Sequence, residues 1–219
     1  MKATKIYSLA YKSFMLALTT VGFYLIIYDR DFDSFAFYTI ISNICVFGFT
    51  LALWILTLKD VKNGDFYSKN THLVRYRGIA MLCIFITGVI YATALADYTK
   101  DSNYTIRNIL HHYVIPIMFV LDYFLFDKKG LIKWYNPLIW IGCSVCYLPY
   151  IFIRAQIVKD NPSLTKYPYF FLDVDDQGLT ATVFWCIGLV VVFSLVSYLL
   201  FLYDYKKGKK ENIESNSNE

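Results

Sequence analysis

Charged residues are scarce in this chain. They make up 17% of its 219 residues, where a soluble domain carries about 25%. The apolar residues collect in long blocks instead of recurring by period. That combination excludes an ordinary soluble domain and points to a polytopic helical membrane protein. The net charge of +4 is spread over short loops and a tail, which argues against a nucleic-acid partner. Histidine is rarer still, with three in the chain. Two of them are adjacent and chelate one ion poorly on a helix, and the third, His72, falls in a loop on the opposite side, so no metal site is expected. None of the five cysteines lies in a predicted loop, so no disulfide framework is implied. Cys143-x-x-Cys146 has redox spacing without the soluble βαβ context and reads as packing. No internal repeat is visible. No small-residue cleavage site follows the first apolar block, which is therefore expected to stay attached as a span.

Aromatic residues, by contrast, are abundant. The 20 Tyr and 18 Phe gather at block ends, where interfacial belts form. The blocks predict six spans, near 7–28, 35–58, 78–96, 108–127, 138–157 and 182–203. The expected fold is an all-α membrane protein, a six-transmembrane-helix bundle over 1–204. The polar tail 205–219 reads as disordered. Fifteen Lys and Arg fall on the side of the two termini and six on the other, which predicts that both termini are cytoplasmic.

The fourth block, NILHHYVIPIMFVLDYFLFD, is long enough to cross a bilayer yet carries His111, His112, Pro116 and Asp122. Ionisable groups inside a span are costly and mark candidate functional positions. In the second block Thr39, Ser42 and Asn43 fall at i, i+3 and i+4 and share one helix face, which Thr50 continues. Such a strip often joins helices by hydrogen bonds. Thr39 and His112 each lie about four residues into spans that start on the same outer side, so both sit some 5 Å below that boundary. A hydroxyl needs an adjacent base to act as a nucleophile, and a neutral imidazole at equal depth supplies one. His111 and His112 diverge by about 100°, so only one faces a given partner. Asp122 lies about 16 Å deeper than His111, too far for a triad, and reads as a structural or cavity-lining group, either paired with an Arg or Tyr of another helix or protonated. The loop YPYFFLDVDD (167–176) is on the outer side and is placed to cover the pair. Its Tyr167, Pro168 and Asp173, with Arg154 before it, are candidate pocket or structural residues, Arg154 and Asp173 as a pair or as shapers of the loop.

YTIISN at the start of span two, HHYVIPIMFVLDYFLFD in span four and YPYFFLDV before span six resemble three signatures of a bacterial family described as predicted six-transmembrane, proline-rich membrane proteins. More distantly, the chain resembles the eukaryotic androgen-induced and androgen-dependent membrane hydrolases of fatty acid esters of hydroxy fatty acids. The likeness runs over most of residues 7–203. It departs from the family pattern at CYLPY in span five and at the second Phe of YPYFF. The resemblance implies a bacterial plasma-membrane hydrolase of a lipid-like ester, with Thr39 as nucleophile and His112, four residues before Pro116, as base. His111, Ser42 and Asn43 stand as supporting residues, Asn43 for oxyanion stabilisation. No cofactor is expected, and the partner is a membrane lipid or fatty acyl ester. The other reading is a non-catalytic lipid-binding protein or small transporter with the same polar pocket, against which the missing repeat and the scarcity of mid-membrane charge both speak.

Overall fold

A computed structural model describes residues 2–63, 71–95 and 105–216. It contains six helices long and apolar enough to cross a membrane, in the number and order the apolar blocks predict. These are α1 (Lys2–Tyr28), α2 (Tyr38–Asn63), α3 (Thr71–Ile90), α4 (Ile106–Phe126), α5 (Asn136–Val158) and α6 (Val174–Asn216). The chain ends on the side where it begins, since Thr4 and Lys5 of α1 and Lys207 and Glu211 of α6 line one cavity. The protein is a multi-pass bundle, and its two faces are named below as the terminal end and the far end.

The boundaries depart from the apolar blocks where local chemistry overrides hydropathy. A 3-10 turn, Phe32–Ala36, holds α2 back to Tyr38, and α3 starts at Thr71, ahead of the predicted position 78, so Arg75 and Arg77 are helical. The predicted end of span three at Ala96 lies outside the described residues. Span five breaks at Cys146, because Pro149 has no N–H for the preceding turn. The polar stretch beyond 204, read from composition as disordered, continues α6 as far as Asn216. Near its other end Gly178 takes φ +81°, a left-handed conformation open to glycine, and sets the first turn of α6 apart from the long helix.

Two interactions position the interior. Trp140 of α5 is fully buried and lies flat against Gly78 of α3, where an added Cβ would come within 2.1 Å of the indole. The indole N–H donates to the Arg75 carbonyl at 3.2 Å. Toward the terminal end the core becomes ionic. Asp122 of α4 has no exposed surface; it accepts Lys12 Nζ of α1 at 2.8 Å and pairs with Arg77 Nη1 of α3 at 2.8 Å. Arg77 also reaches Asp127 at 2.8 Å and the Phe119 carbonyl at 2.7 Å, with its guanidinium over the Phe119 ring. The partner expected for Asp122 is thus an arginine together with a lysine. Both of these cations count in the charge asymmetry, and they also carry structure.

A second buried carboxylate ties α6 to the loop after α4. Asp204 accepts the Tyr123 hydroxyl at 2.6 Å and the Ile132 N–H at 2.9 Å. Gly130 and Gly208 meet so closely there that a Cβ at Gly208 would fall 2.3 Å from the Gly130 Cα. Lys129 donates to the carbonyls of Tyr123 and Asp127 at 2.7 Å each, where the end of α4 leaves acceptors unpaired. Burial pushes the Lys129 amine down, and the Asp127 and Asp204 carboxylates pull it back up.

Breaking a buried ion pair by removing one partner costs about 3–5 kcal/mol, because the other charge remains unsolvated. Asp122→Ala is therefore expected to lower the unfolding free energy in detergent by about that amount, and a loss below about 1 kcal/mol, the range of an exposed pair, would contradict the network. Gly78→Ala should destabilise the bundle by displacing Trp140, whereas Gly48→Ala should not, since a Cβ there meets nothing within 4 Å. Thermal denaturation of the two variants side by side separates them.

Candidate functional site

The far end of the bundle holds the second polar centre, and the first turn of α2 starts it. Backbone N–H groups in a first helical turn lack helical acceptors, and that of Thr39 donates to the Tyr169 hydroxyl over a long 3.4 Å. The strip read from the sequence is buried in full: Thr39, Ser42, Asn43 and Thr50 are each at most 6% exposed. Ser42 Oγ bonds the Thr39 carbonyl at 2.8 Å and Thr87 Oγ1 of α3 at 2.9 Å. Asn43 Nδ2 donates to the Thr39 carbonyl at 2.8 Å and to the His111 carbonyl of α4 at 3.2 Å. The strip therefore joins α2 to α3 and α4 and ties the backbone at Thr39 to that of the histidine pair through Asn43.

The histidines sit in a widened helix. Pro116 offers no N–H to the His112 carbonyl four residues back, and the helix relaxes into a π turn over Leu110–Val114, closed by the Ile115 N–H on the Leu110 carbonyl. The released His112 carbonyl faces Gly88 of α3, where a Cβ would lie 3.1 Å away. Just beyond, α3 widens in turn, over Tyr91–Leu95. The Tyr91 ring stacks on the His112 ring at a centroid distance of 3.6 Å and an angle of 15°. Such π turns concentrate at functional sites, and here two of them flank the same imidazole. The divergence expected of the pair is present. His111 turns to α1, against the Gly22 backbone, where a Cβ would approach its Cε1 to 2.8 Å, and beside the Phe23 ring. Among the described residues neither ring nitrogen of His111, nor Nδ1 of His112, has a hydrogen bond of good geometry.

Thr39, His111, His112, Tyr91, Pro168 and Tyr169 line one cavity of about 290 Å³. Two acid–base pairs frame it. Arg107 pairs with Asp31 at 2.8 Å. Arg154 pairs with Asp33, which also accepts the Thr165 N–H at 2.9 Å. Thr39 and Tyr169 also border a second, apolar cleft of about 50 Å³, walled by Ile86 and Ile90 of α3, Leu148 of α5 and Leu189 of α6. Thr39 thus stands at a junction. On one side is a chamber with two imidazoles, and on the other an apolar slot of aliphatic and aromatic side chains.

Other sequence candidates fall elsewhere. Asp122 is in the ionic core at the terminal end. Arg154 and Asp173 do not pair: Arg154 holds Asp33 and the Thr165 carbonyl, and Asp173 Oδ1 accepts the N–H groups of Asp175 and Asp176, capping α6. Both shape the loop before α6 at the far end. Tyr167 packs against the Phe152 ring and does not line the chamber. Asn43 is ill suited to an oxyanion, because its amide donates to two carbonyls. Sequence reasoning passed over Tyr169 and Tyr91. Tyr169 was within the same Tyr-Pro-Tyr run, and Tyr91 ends span three at the depth of the histidines, so position alone marked both.

Comparison with protein families, curated proteins and solved structures finds no match for the chain.

A cavity of about 290 Å³ has room for several waters. In a background freed of native cysteines, Asn108→Cys, on its wall, should react with a small water-soluble thiol reagent in detergent solution. Thr50→Cys, 1% exposed, should stay unmodified until the protein unfolds. Equal rates at the two positions would show that the chamber is closed.

Proposed function

We propose that this protein is an integral-membrane hydrolase of a fatty acyl ester, with Thr39 as nucleophile and His112 as general base. The observation that supports the reading best is the place of Thr39 at the junction of an imidazole-lined chamber and an apolar cleft. His112 takes the Thr39 hydroxyl proton as the oxygen attacks the ester carbonyl, and returns it to the departing alcohol. The acyl-threonine is then cleaved by water from the chamber, His112 again accepting the proton and Thr39 regaining it. The oxyanion forms at the positive end of α2, whose Ile40 and Ile41 N–H groups already donate to the Phe37 carbonyl. The Tyr169 hydroxyl adds a donor: it accepts from the Thr39 N–H and keeps its own proton to give. Tyr91 holds the His112 ring by stacking.

The same reading places the protein in a bacterial plasma membrane with both termini cytoplasmic and the chamber on the outer side. A cysteine at Ser163 should then react with an impermeant thiol reagent on intact cells, and one at Asn63 should not. The opposite pattern inverts the orientation.

A hydrolase-directed alkyl phosphonate should label the purified protein, and Thr39→Ala should abolish the label. His112→Ala should slow labelling by about 10²–10⁴ and Tyr169→Phe by up to about 10²–10³. His111→Ala should do less, because that ring faces α1. Thr39→Ser should retain part of the rate. Unchanged labelling in Thr39→Ala would contradict the mechanism.

A further inference from the structure

On the hydrolase reading, the alcohol arm of the ester lies in the chamber beside His112, and the charges around it set the chemistry of that arm. Among the described residues Arg107 is the one Lys or Arg in the lining. Its Nη1 is held between two carboxylates, Asp31 at 2.8 Å and Asp29 at 3.5 Å. The lining carboxylate Asp33 is held in turn by Arg154 and by the Thr165 N–H. Arg30, exposed and outside the lining, brings the charges here to a balance, Asp29, Asp31 and Asp33 against Arg30, Arg107 and Arg154. Lys166 is committed to Asp175.

A charged arm would have to break one of these pairs. A carboxylate or phosphate would compete with Asp31 and Asp29 for Arg107 and would meet their like charge. A cationic arm would compete with Arg107 for Asp31. An uncharged arm displaces nothing, yet a plain hydrocarbon does not suit the place either. Asp31 Oδ2 accepts both Arg107 and the Ser34 hydroxyl, while no hydrogen bond reaches Oδ1 among the described residues. A carboxylate has about four acceptor sites and a guanidinium five N–H donors, so the pairs keep hydrogen-bonding capacity for a ligand. A hydrocarbon arm would exclude water from these groups and replace none of its hydrogen bonds. Hydroxyls both donate and accept, and a cavity of about 290 Å³ has room for a glycerol-sized group.

We propose that the alcohol arm is a small uncharged polyol of the glycerol kind, so that the substrate class is an acylglycerol with free hydroxyls. Those hydroxyls bond the paired groups of Asp31, Asp33 and Arg107, and the acyl chain enters the apolar cleft on the other side of Thr39.

Native mass spectrometry of the purified full chain tests this with uncleavable ethers that share an octyl chain: 1-O-octylglycerol, octyloxyacetate, the octyl ether of choline and octyl propyl ether. The glycerol ether should be retained several-fold more than each of the others. Asp31→Asn leaves Arg107 with Asp29 alone, and should shift retention several-fold toward octyloxyacetate. The Asp31 side chain is 34% exposed, so the melting temperature should hold. Asp175→Asn, whose partner Lys166 is outside the lining, should shift nothing. Retention of any other ether as strong as that of the glycerol ether would overturn the proposal, and the native chain alone decides this. An unchanged preference in a folded Asp31→Asn variant would overturn it as well. These ethers cannot acylate Thr39, and Thr39→Ala should keep the preference, so this test and the phosphonate test fail independently. Labelling without the preference contradicts the polyol arm, and the preference without labelling contradicts the hydrolysis.

Discussion

The carboxylate of Asp122, buried among helices with Lys12 and Arg77 as its partners, is the constraint on which the rest of the bundle depends. Hydrocarbon offers no alternative solvent for these charges, so separating α1, α3 and α4 would strand at least one of them. Apolar packing between helices gives little preference for one register over another in lipid, whose chains are as apolar as the side chains. The ion network supplies that register. Once Asp122 is fixed, the histidine pair on the same helix is fixed about 16 Å away at 1.5 Å per residue, and Arg77 sets α3 so that Tyr91 arrives over His112.

The far end uses a different means to the same end. Neutral hydrogen bonds replace charges there: Asn43 spans to the His111 carbonyl, Ser42 to Thr87, and Tyr169 to the Thr39 N–H. Pro116 then disturbs this regular lattice in a controlled way. It frees one carbonyl, widens one turn and presents His112 to a stacking partner. The bundle thus combines an ionic end with a polar end whose helices carry two π turns.

The span count was legible because six apolar blocks separated by polar loops leave little choice of architecture. That Thr39 and His112 line one cavity accords with their equal expected depth, which follows from topology and helical rise alone. What sequence could not supply were partners between distant segments. Nothing in the blocks tells that Asp122 meets Lys12 as well as Arg77, that Arg154 seeks Asp33 in preference to Asp173, or that Asn43 spends its donors on carbonyls. Such pairings depend on helix rotation, which hydropathy leaves free. The helical continuation of α6 past 204 escaped composition for a related reason: Asp204 and Gly208 anchor its base to the preceding loop, a tertiary contact with no local sign.

The account rests on Thr39 forming an acyl-enzyme, and peptide mass spectrometry after acid quench tests this most directly. A chromogenic medium-chain ester is mixed with the purified protein, the reaction is stopped in acid, where an acyl-threonine ester persists, and the peptides are mapped. An acyl mass on the peptide carrying Thr39, absent in Thr39→Ala, is the predicted result. Ester turnover with the acyl group on another residue, or on none, would contradict the account.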